Sequence, residues 1–512
     1  MKKNIILKSV LAFALASVVS VGAYSFIPVS NLTIEAAQTT ETSKKAVSAP
    51  KYVFLFIGDG MSYPQIQAAS DYLGASTQGN SPKILGGGRD LSFMEFPVAG
   101  SATTFDSTSF CPDSASTATS ISTGHKTYSS VINMDETKTI SYESISEKLK
   151  KQLGYKVGII TTVNLNHATP AAFYAHQASR NNYYEIGEEL INSNFDYFAG
   201  GGLKQVTGKD KDKENLYTLA EKSGYKVIKT QSEAEKLTAD DGKSIIIGEN
   251  LADSDSLNYN NDRPSNEWAL KDYVKKGIDV LDNEKGFFMM VEGGKIDWAC
   301  HANDAGSSIA DTLALSDAVG EAVKFYNEHP TETLILVTGD HETGGLTIGY
   351  AGTNYDTYLA NLTNQKISYA KYDEEYVAKY KAEKTPFETV LKDITANFGL
   401  MTADNPKAAS NEKLVLTDYE ISLLKAAYEK TMSGEAVDES NQAEYVLYGT
   451  YEPLSVTITH ILNNKSGINF SSYSHTGLPV GVFALGNGEE LFEGYYDNTD
   501  IYDKVSELLN VK

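Results

Sequence analysis

Asp340 and His341 stand side by side in Thr338-Gly339-Asp340-His341-Glu342-Thr343-Gly344-Gly345, a carboxylate and an imidazole in a glycine-rich stretch. Four further segments offer donors of the same kind. They are Gly58-Asp59-Gly60-Met61, Asn166-His167-Ala168-Thr169-Pro170, the run from Glu292 through Asp297 to His301, and Tyr473-Ser474-His475-Thr476-Gly477. Carboxylate and hydroxyl oxygens are hard ligands and imidazole is borderline, a mixture suited to magnesium and zinc. Each segment alone has an ordinary explanation. Gly-Asp-Gly makes turns, an Asp after a strand caps a helix, and a lone His is commonly a hydrogen-bonded structural residue. Five such segments in one chain point instead to a shared metal centre.

A sixth segment offers a nucleophile. Phe110-Cys111-Pro112-Asp113-Ser114-Ala115-Ser116-Thr117-Ala118 opens a helix of small residues, with Pro112 suited to its start. Ser114 then lies near the positive end of the helix dipole, which favours a developing alkoxide. A serine hydroxyl needs an activating base or metal, and no His adjoins Ser114 in sequence. A metal ion supplies that activation by lowering the hydroxyl pKa. Without the metal constellation, an Asp/Ser-capped Ser/Thr/Ala helix is the plainer account.

These groups must be held by a scaffold, and the apolar runs beside them supply it. Tyr52–Ile57, Val157–Val163, Phe287–Val291 and Leu334–Val337 each precede a donor segment, and Val480–Leu485 follows the last. Short apolar runs ending in turns read as buried strands. In open α/β sheets, chemistry gathers at the carboxyl ends of the strands. Neighbouring strands lie about 4.8 Å apart, so residues at their ends can surround a few metal ions. The expected fold is a three-layer α/β/α sandwich with a central, mostly parallel sheet.

The motifs Asp113-Ser114-Ala115, Gly58-Asp59-Gly60-Met61, His167-Ala168-Thr169-Pro170-Ala171-Ala172, Glu292-Gly293-Gly294 with Asp297 and His301, Asp340-His341 and His475-Thr476-Gly477 resemble the alkaline phosphatase family in identity and order. The resemblance runs from about Lys51 to the C-terminus. It implies hydrolysis of small phosphate monoesters through a phosphoserine on Ser114, with two zinc ions and one magnesium-type ion. Asp297, His301 and His475 are implied as ligands of the first zinc, and Asp59, Asp340 and His341 as ligands of the second. Thr169 and Glu292 are implied for the third ion, with Asp59 bridging towards it. Arg180 resembles the phosphate clamp, oriented by Asp113. The best-studied bacterial form has Asp where this chain has His167 and Lys where it has Trp298. A weaker or water-mediated contact of His167 to the third ion is therefore expected, and easier loss of product phosphate.

Net charge −23, from 44 basic and 67 acidic residues, argues against nucleic-acid binding. Lys2, Lys3 and Lys8 precede a stretch uncharged from Ser9 to Ile34, the pattern of a secretory signal over residues 1–23 or of an uncleaved anchor. Residues 24–50 read as a linker and 51–512 as the catalytic domain. A secreted or cell-surface location follows. Two cysteines, Cys111 and Cys300, make no disulfide framework and read as buried free thiols, with a shared place at the site as the alternative. His475 follows His341 by 134 positions, and the stretch at about 350–465 reads as a mostly helical insertion. In the resembling family such an insertion forms a cap or crown near a dimer interface, so a homodimer is expected. Two rivals remain. A phosphodiesterase is disfavoured by the Asp113-Ser114-Ala115 motif with the Arg180 segment, and a sulfatase because Cys111-Pro112-Asp113-Ser114 does not fit a Cys-x-Pro-x-Arg context. A metal-stabilised surface binding module would not need Ser114.

Overall fold

The computed structural model describes residues 49–78 and 91–512. The expected signal and nearly all of the linker lie outside the described residues. Ten strands form the central sheet: β1 (Tyr52–Gly58), β2 (Val98–Thr103), β3 (Lys156–Asn164), β4 (Tyr197–Gly201), β5 (Lys226–Ile228), β6 (Ser244–Ile247), β7 (Phe287–Glu292), β8 (Thr333–Gly339), β9 (Val480–Gly486) and β10 (Gly494–Asp497). Their order across the sheet is β10-β2-β9-β8-β1-β7-β3-β4-β6-β5.

Every residue of β1 is buried. Tyr52, Phe54 and Phe56 enter one apolar cluster while Val53, Leu55 and Ile57 enter another. Side chains alternate across a strand, so a strand with both faces apolar must be covered twice. Helices do this, with Ala305–Glu328 packed against β1 and β8. The fold is thus mixed α/β with helices around a large, mostly parallel sheet, as the sequence leads one to expect.

One strand runs against the others. β9 pairs antiparallel with both β2 and β8, whereas β1 is parallel to β7 and β8. An antiparallel strand brings its amino end to the edge where its neighbours end. His475 therefore precedes its strand in sequence and still meets residues that follow theirs. A short antiparallel pairing of His475 with Thr343 and of Thr476 with Glu342 fixes that meeting.

The insertion is not a separate body. Leu359, Tyr372, Val390, Leu424 and Leu454 belong to the same apolar cluster as Phe54 and Phe56. Helix Asp418–Ser433 carries a capping box between Thr417 and Glu420 and packs against helix Pro453–Ser466. Of its tyrosines, Tyr372 is buried and stacks on Tyr376 at 5.2 Å, while Tyr355 is fully exposed. Among the described residues, no helix is long and apolar enough to cross a membrane.

The turns after β1 and β8 touch through backbone. A Cβ on Gly339 would lie 1.9 Å from the Met61 carbonyl oxygen. The chain cannot admit even a methyl group there without separating Asp59 from Asp340. Gly339→Ala is expected to destabilise the protein by about 3 kcal/mol, the upper end for overpacking, because the clash is with backbone. Chemical denaturation measures this, and an unchanged midpoint would refute the close approach.

Candidate active site

The donors predicted from sequence converge at one edge of the sheet. Asp59 follows β1, Asp340 and His341 follow β8, Glu292 ends β7, and His167 and Thr169 follow β3. Asp297 and His301 lie one turn apart on helix α1 (Lys295–His301). Among the described residues, three groups of acids and imidazoles have ligand atoms within 4.8 Å of one another: Asp297, His341 and His475; Asp59, Asp340 and His341; and Asp59, His167 and Glu292.

Proton bookkeeping in these groups leaves lone pairs facing lone pairs. His301 Nδ1 lies 2.6 Å from the Tyr473 carbonyl and His475 Nδ1 2.5 Å from that of Pro112. A carbonyl only accepts, so both Nδ1 atoms carry hydrogen and both Nε2 atoms present lone pairs. Those Nε2 atoms are 3.1 Å apart and lie 3.3 and 3.5 Å from Asp297 Oδ1. A proton or a cation must stand between them. His341 repeats the pattern. Thr343 Oγ1 gives its hydrogen to Asp297 Oδ1 at 2.5 Å, so His341 Nδ1 donates to Thr343. His341 Nε2 then faces Asp59 Oδ1 and Asp340 Oδ2, both at 3.3 Å. A donor set of this kind fits divalent cations.

Each carboxylate of the cluster also accepts from a different threonine. Thr169 donates to Asp59, Thr117 to Asp340, Thr343 to Asp297, and Thr161 to Glu292. The other Glu292 oxygen, Oε1, is buried without a partner. These threonines, apart from Thr169, went unnoticed in sequence, since a threonine inside a strand or helix carries no signal of its own. Glu342 was missed as well. It receives hydrogen bonds from Gln65, Gly345, Leu346 and Thr476 and so fixes the turn that bears His341.

Burial and mutual repulsion shape the charges. Asp59 is pushed well above the ordinary carboxylate range by burial and then by Asp340, Asp297 and Glu292. Burial raises Glu292 to about 8 and, with Asp297, Asp340 to about 6. Asp297 goes the other way, because His301 and His475 overcome the cost of its burial. Burial keeps His341 neutral, well below its ordinary range.

Ser114 begins helix Ser114–Thr123, whose cap is Asp113 rather than Pro112. Its Oγ is buried, 3.1 Å from His341 Nε2 and 3.4 Å from Asp59 Oδ1. Asp113 Oδ2 pairs with Arg180 at 2.9 Å, and Asp113 Oδ1 accepts from Ser116 and Ser130. Arg180 in turn reaches His167 Nε2 at 3.2 Å. A guanidinium only donates, so the His167 hydrogen sits on Nδ1, which is buried without a partner. His167 thus presents its Nε2 lone pair to Arg180, and one of its ring nitrogens lies within 4.8 Å of ligand atoms of Asp59 and Glu292. Trp298 packs edge-on against the His167 ring at 6.0 Å. Cys111 is exposed, against the expectation of two buried thiols, because its loop projects ahead of the helix cap; Cys300 is buried and both are free.

A parallel sheet whose carboxyl edge gathers metal-capable acids and imidazoles around a helix-capped serine and a paired arginine defines a phosphoryl-transfer type of hydrolase site. The comparisons narrow the class. The family model "Alkaline phosphatase" matches residues 50–511. Alkaline phosphatase 4 of Bacillus subtilis is 31% identical over 484 residues, covering 93% of this chain and 92% of that protein. The cold-active alkaline phosphatase of the psychrophile Shewanella sp. superposes with a TM-score of 0.70 at 27% identity, over 90% of this chain and 99% of that one. A histidine-to-glutamate variant of TAB5 alkaline phosphatase, with Mg bound in its M3 site, has a TM-score of 0.60 at 25% identity, over 91% and 99%. The chain belongs to the alkaline phosphatase family.

The raised carboxylates give a pH signature. An acid held protonated in the folded state but ionised in the unfolded state favours unfolding as pH rises. For Asp340 and Glu292 the penalty is absent below pH 3.8, grows between their ordinary values of 3.8 and 4.5 and their folded values, and is complete above about 8. Chelator-treated protein should therefore lose stability from about pH 4 to 8, and metal-loaded protein should not. Thermal unfolding across that range tests it. Parallel curves for the two forms would mean that the acids are not compensated by cations.

Proposed function

We propose that the chain hydrolyses small phosphate monoesters through a phosphoserine on Ser114. The observation that carries this reading is the position of Ser114 Oγ, buried at a helix start, 3.1 Å from an imidazole lone pair and close to the Arg180–Asp113 pair. Asp297, His301 and His475 would hold one zinc, and Asp59, Asp340 and His341 a second. Glu292, Thr169 and Asp59 would hold a magnesium-type ion, supported by the unpartnered Glu292 oxygen and by the Mg in the TAB5 relative. When bound, such ions neutralise the carboxylates, lower the serine pKa and polarise phosphoryl and leaving-group oxygens.

The residues of the chain do the rest. Arg180 binds two non-bridging phosphate oxygens, and its fork is held in plane by Asp113. Ser114 attacks phosphorus in line with the departing alcohol, and the amino end of its helix stabilises the alkoxide. Water then cleaves the phosphoserine and phosphate leaves. His167 Nε2 is already occupied by Arg180, which suits a water-mediated rather than direct contact with the third ion. Magnesium's preference for oxygen ligands agrees with this. The basic and then apolar N-terminal sequence supports export, as a secreted or surface protein, and the family resemblance supports a homodimer.

Chromogenic monoester, diester and sulfate substrates, assayed before and after chelation, test the activity. Monoesterase activity lost on chelation and restored by zinc and magnesium is expected. Dominant diesterase or sulfatase activity would overturn the reading. Acid-quenched protein should carry phosphate on Ser114 by mass spectrometry, and Ser114→Ala should remove it; phosphate on another residue would reassign the nucleophile. Arg180→Ala should weaken inhibition by inorganic phosphate by about 1–3 kcal/mol, the range for charge-assisted hydrogen bonds. An unchanged inhibition constant would place Arg180 outside the phosphate pocket.

A further inference from the structure

Two residues beyond His301, Asn303 takes a left-handed backbone, φ 50°, and is 3% exposed. Asparagine tolerates that conformation better than most residues, but its side chain has a second use here. Asn303 Nδ2 donates both its hydrogens, to Cys300 O at 2.9 Å and to Ser472 O at 2.9 Å. The first carbonyl belongs to the helix that bears Asp297 and His301. The second belongs to the loop that bears His475. With both hydrogens used, Asn303 Oδ1 can only accept, and it lies 3.0 Å from His460 Nε2. Flipping the amide would set its oxygen against two carbonyls, so this orientation is fixed. His460 therefore carries its hydrogen on Nε2. Asn463 Nδ2 donates to Asn303 O at 2.7 Å. His460 and Asn463 are one turn apart on helix Pro453–Ser466, at the end of the insertion.

The same helix reaches the site by a second route. The His460 ring packs 5.9 Å from the Tyr473 ring, and the Tyr473 carbonyl accepts from His301 Nδ1. Burial keeps His460 neutral, with its pKa lowered to about 4. So one buried side chain ties together the carriers of both imidazoles whose Nε2 atoms face each other at 3.1 Å, and it is itself held by the insertion.

We propose that Asn303 is a positioning residue that sets the spacing of His301 and His475, and that through His460 and Asn463 the insertion controls how tightly this pair holds its metal ion. The inference rests on the proposed assignment of a zinc to Asp297, His301 and His475. Asn303 touches no reacting atom; it acts through the two chain segments it joins. Groups that orient metal ligands from behind alter affinity by about 10–100-fold when removed.

The test follows zinc rather than turnover. Zinc-loaded protein is mixed with a colorimetric chelator well below its unfolding temperature, and the rate and amplitude of zinc transfer are recorded. Asn303→Gly keeps the left-handed backbone and removes the amide. It should release one zinc equivalent at least about tenfold faster, the other equivalent leaving at the wild-type rate. His460→Leu should accelerate the same phase, and His460→Gln, which restores a donor, should reverse most of that effect. If Asn303→Gly does not fold, the two His460 variants decide the question. Wild-type release rates in His460→Leu, or in a folded Asn303→Gly, overturn the proposal. Wild-type protein that takes up no zinc overturns instead the assignment on which it rests.

Discussion

Four buried carboxylates share one edge of the sheet, and their mutual repulsion governs the architecture around them. Asp59, Glu292, Asp297 and Asp340 are all nearly inaccessible to water. Unpaired charge in a low-dielectric interior is among the costliest things a fold can contain. The chain answers it with one threonine hydroxyl per acid, imidazole lone pairs turned inward, and one guanidinium held back on Asp113. The threonines satisfy one oxygen lone pair each and leave others directed at the centre. A helix that begins at Ser114 adds another positive end. The arrangement is a negative cage with its openings facing inward, which is what a cation-dependent phosphate site requires.

Much of this was legible from the chain. The apolar runs at 52–57, 157–163, 287–291, 334–337 and 480–485 appear as strands with bounds moved by a residue or two. They were readable because strands buried on both faces become continuous apolar runs. The donors were readable because acids and histidines directly at strand ends are conspicuous against those runs. What sequence did not show is how the donors are held. Thr117 lies in a helix of small residues and Thr161 inside β3, and nothing in their neighbourhood distinguishes them. Glu342 looks like part of the Asp340-His341 motif, yet it points into the turn and binds Gln65, 277 positions away. Asn303 carries no motif and binds Cys300, Ser472, His460 and Asn463. Long-range polar contacts leave no local periodicity, so they escape a reading based on pattern.

The insertion shows the same limit from another side. Its helical character was readable from composition. Its attachment was not. A Lys/Glu/Tyr-rich stretch suggests a solvated appendage, but its apolar residues join the core that β1 builds, and one of its histidines reaches Asn303. A segment with many exposed residues can still be tied to the site through a few buried contacts.

The reversed direction of β9 also fixes when the site can exist. β1 needs β7 and β8, whose residues lie more than two hundred positions later, before its own end is flanked on both sides. The last donor, His475, comes from a segment that must fold back antiparallel against β8 after the whole insertion has been made. Contacts so distant in sequence form slowly, because a long loop must close before they are rewarded. The group that includes His475 is therefore completed only when almost the last residues of the chain are in place.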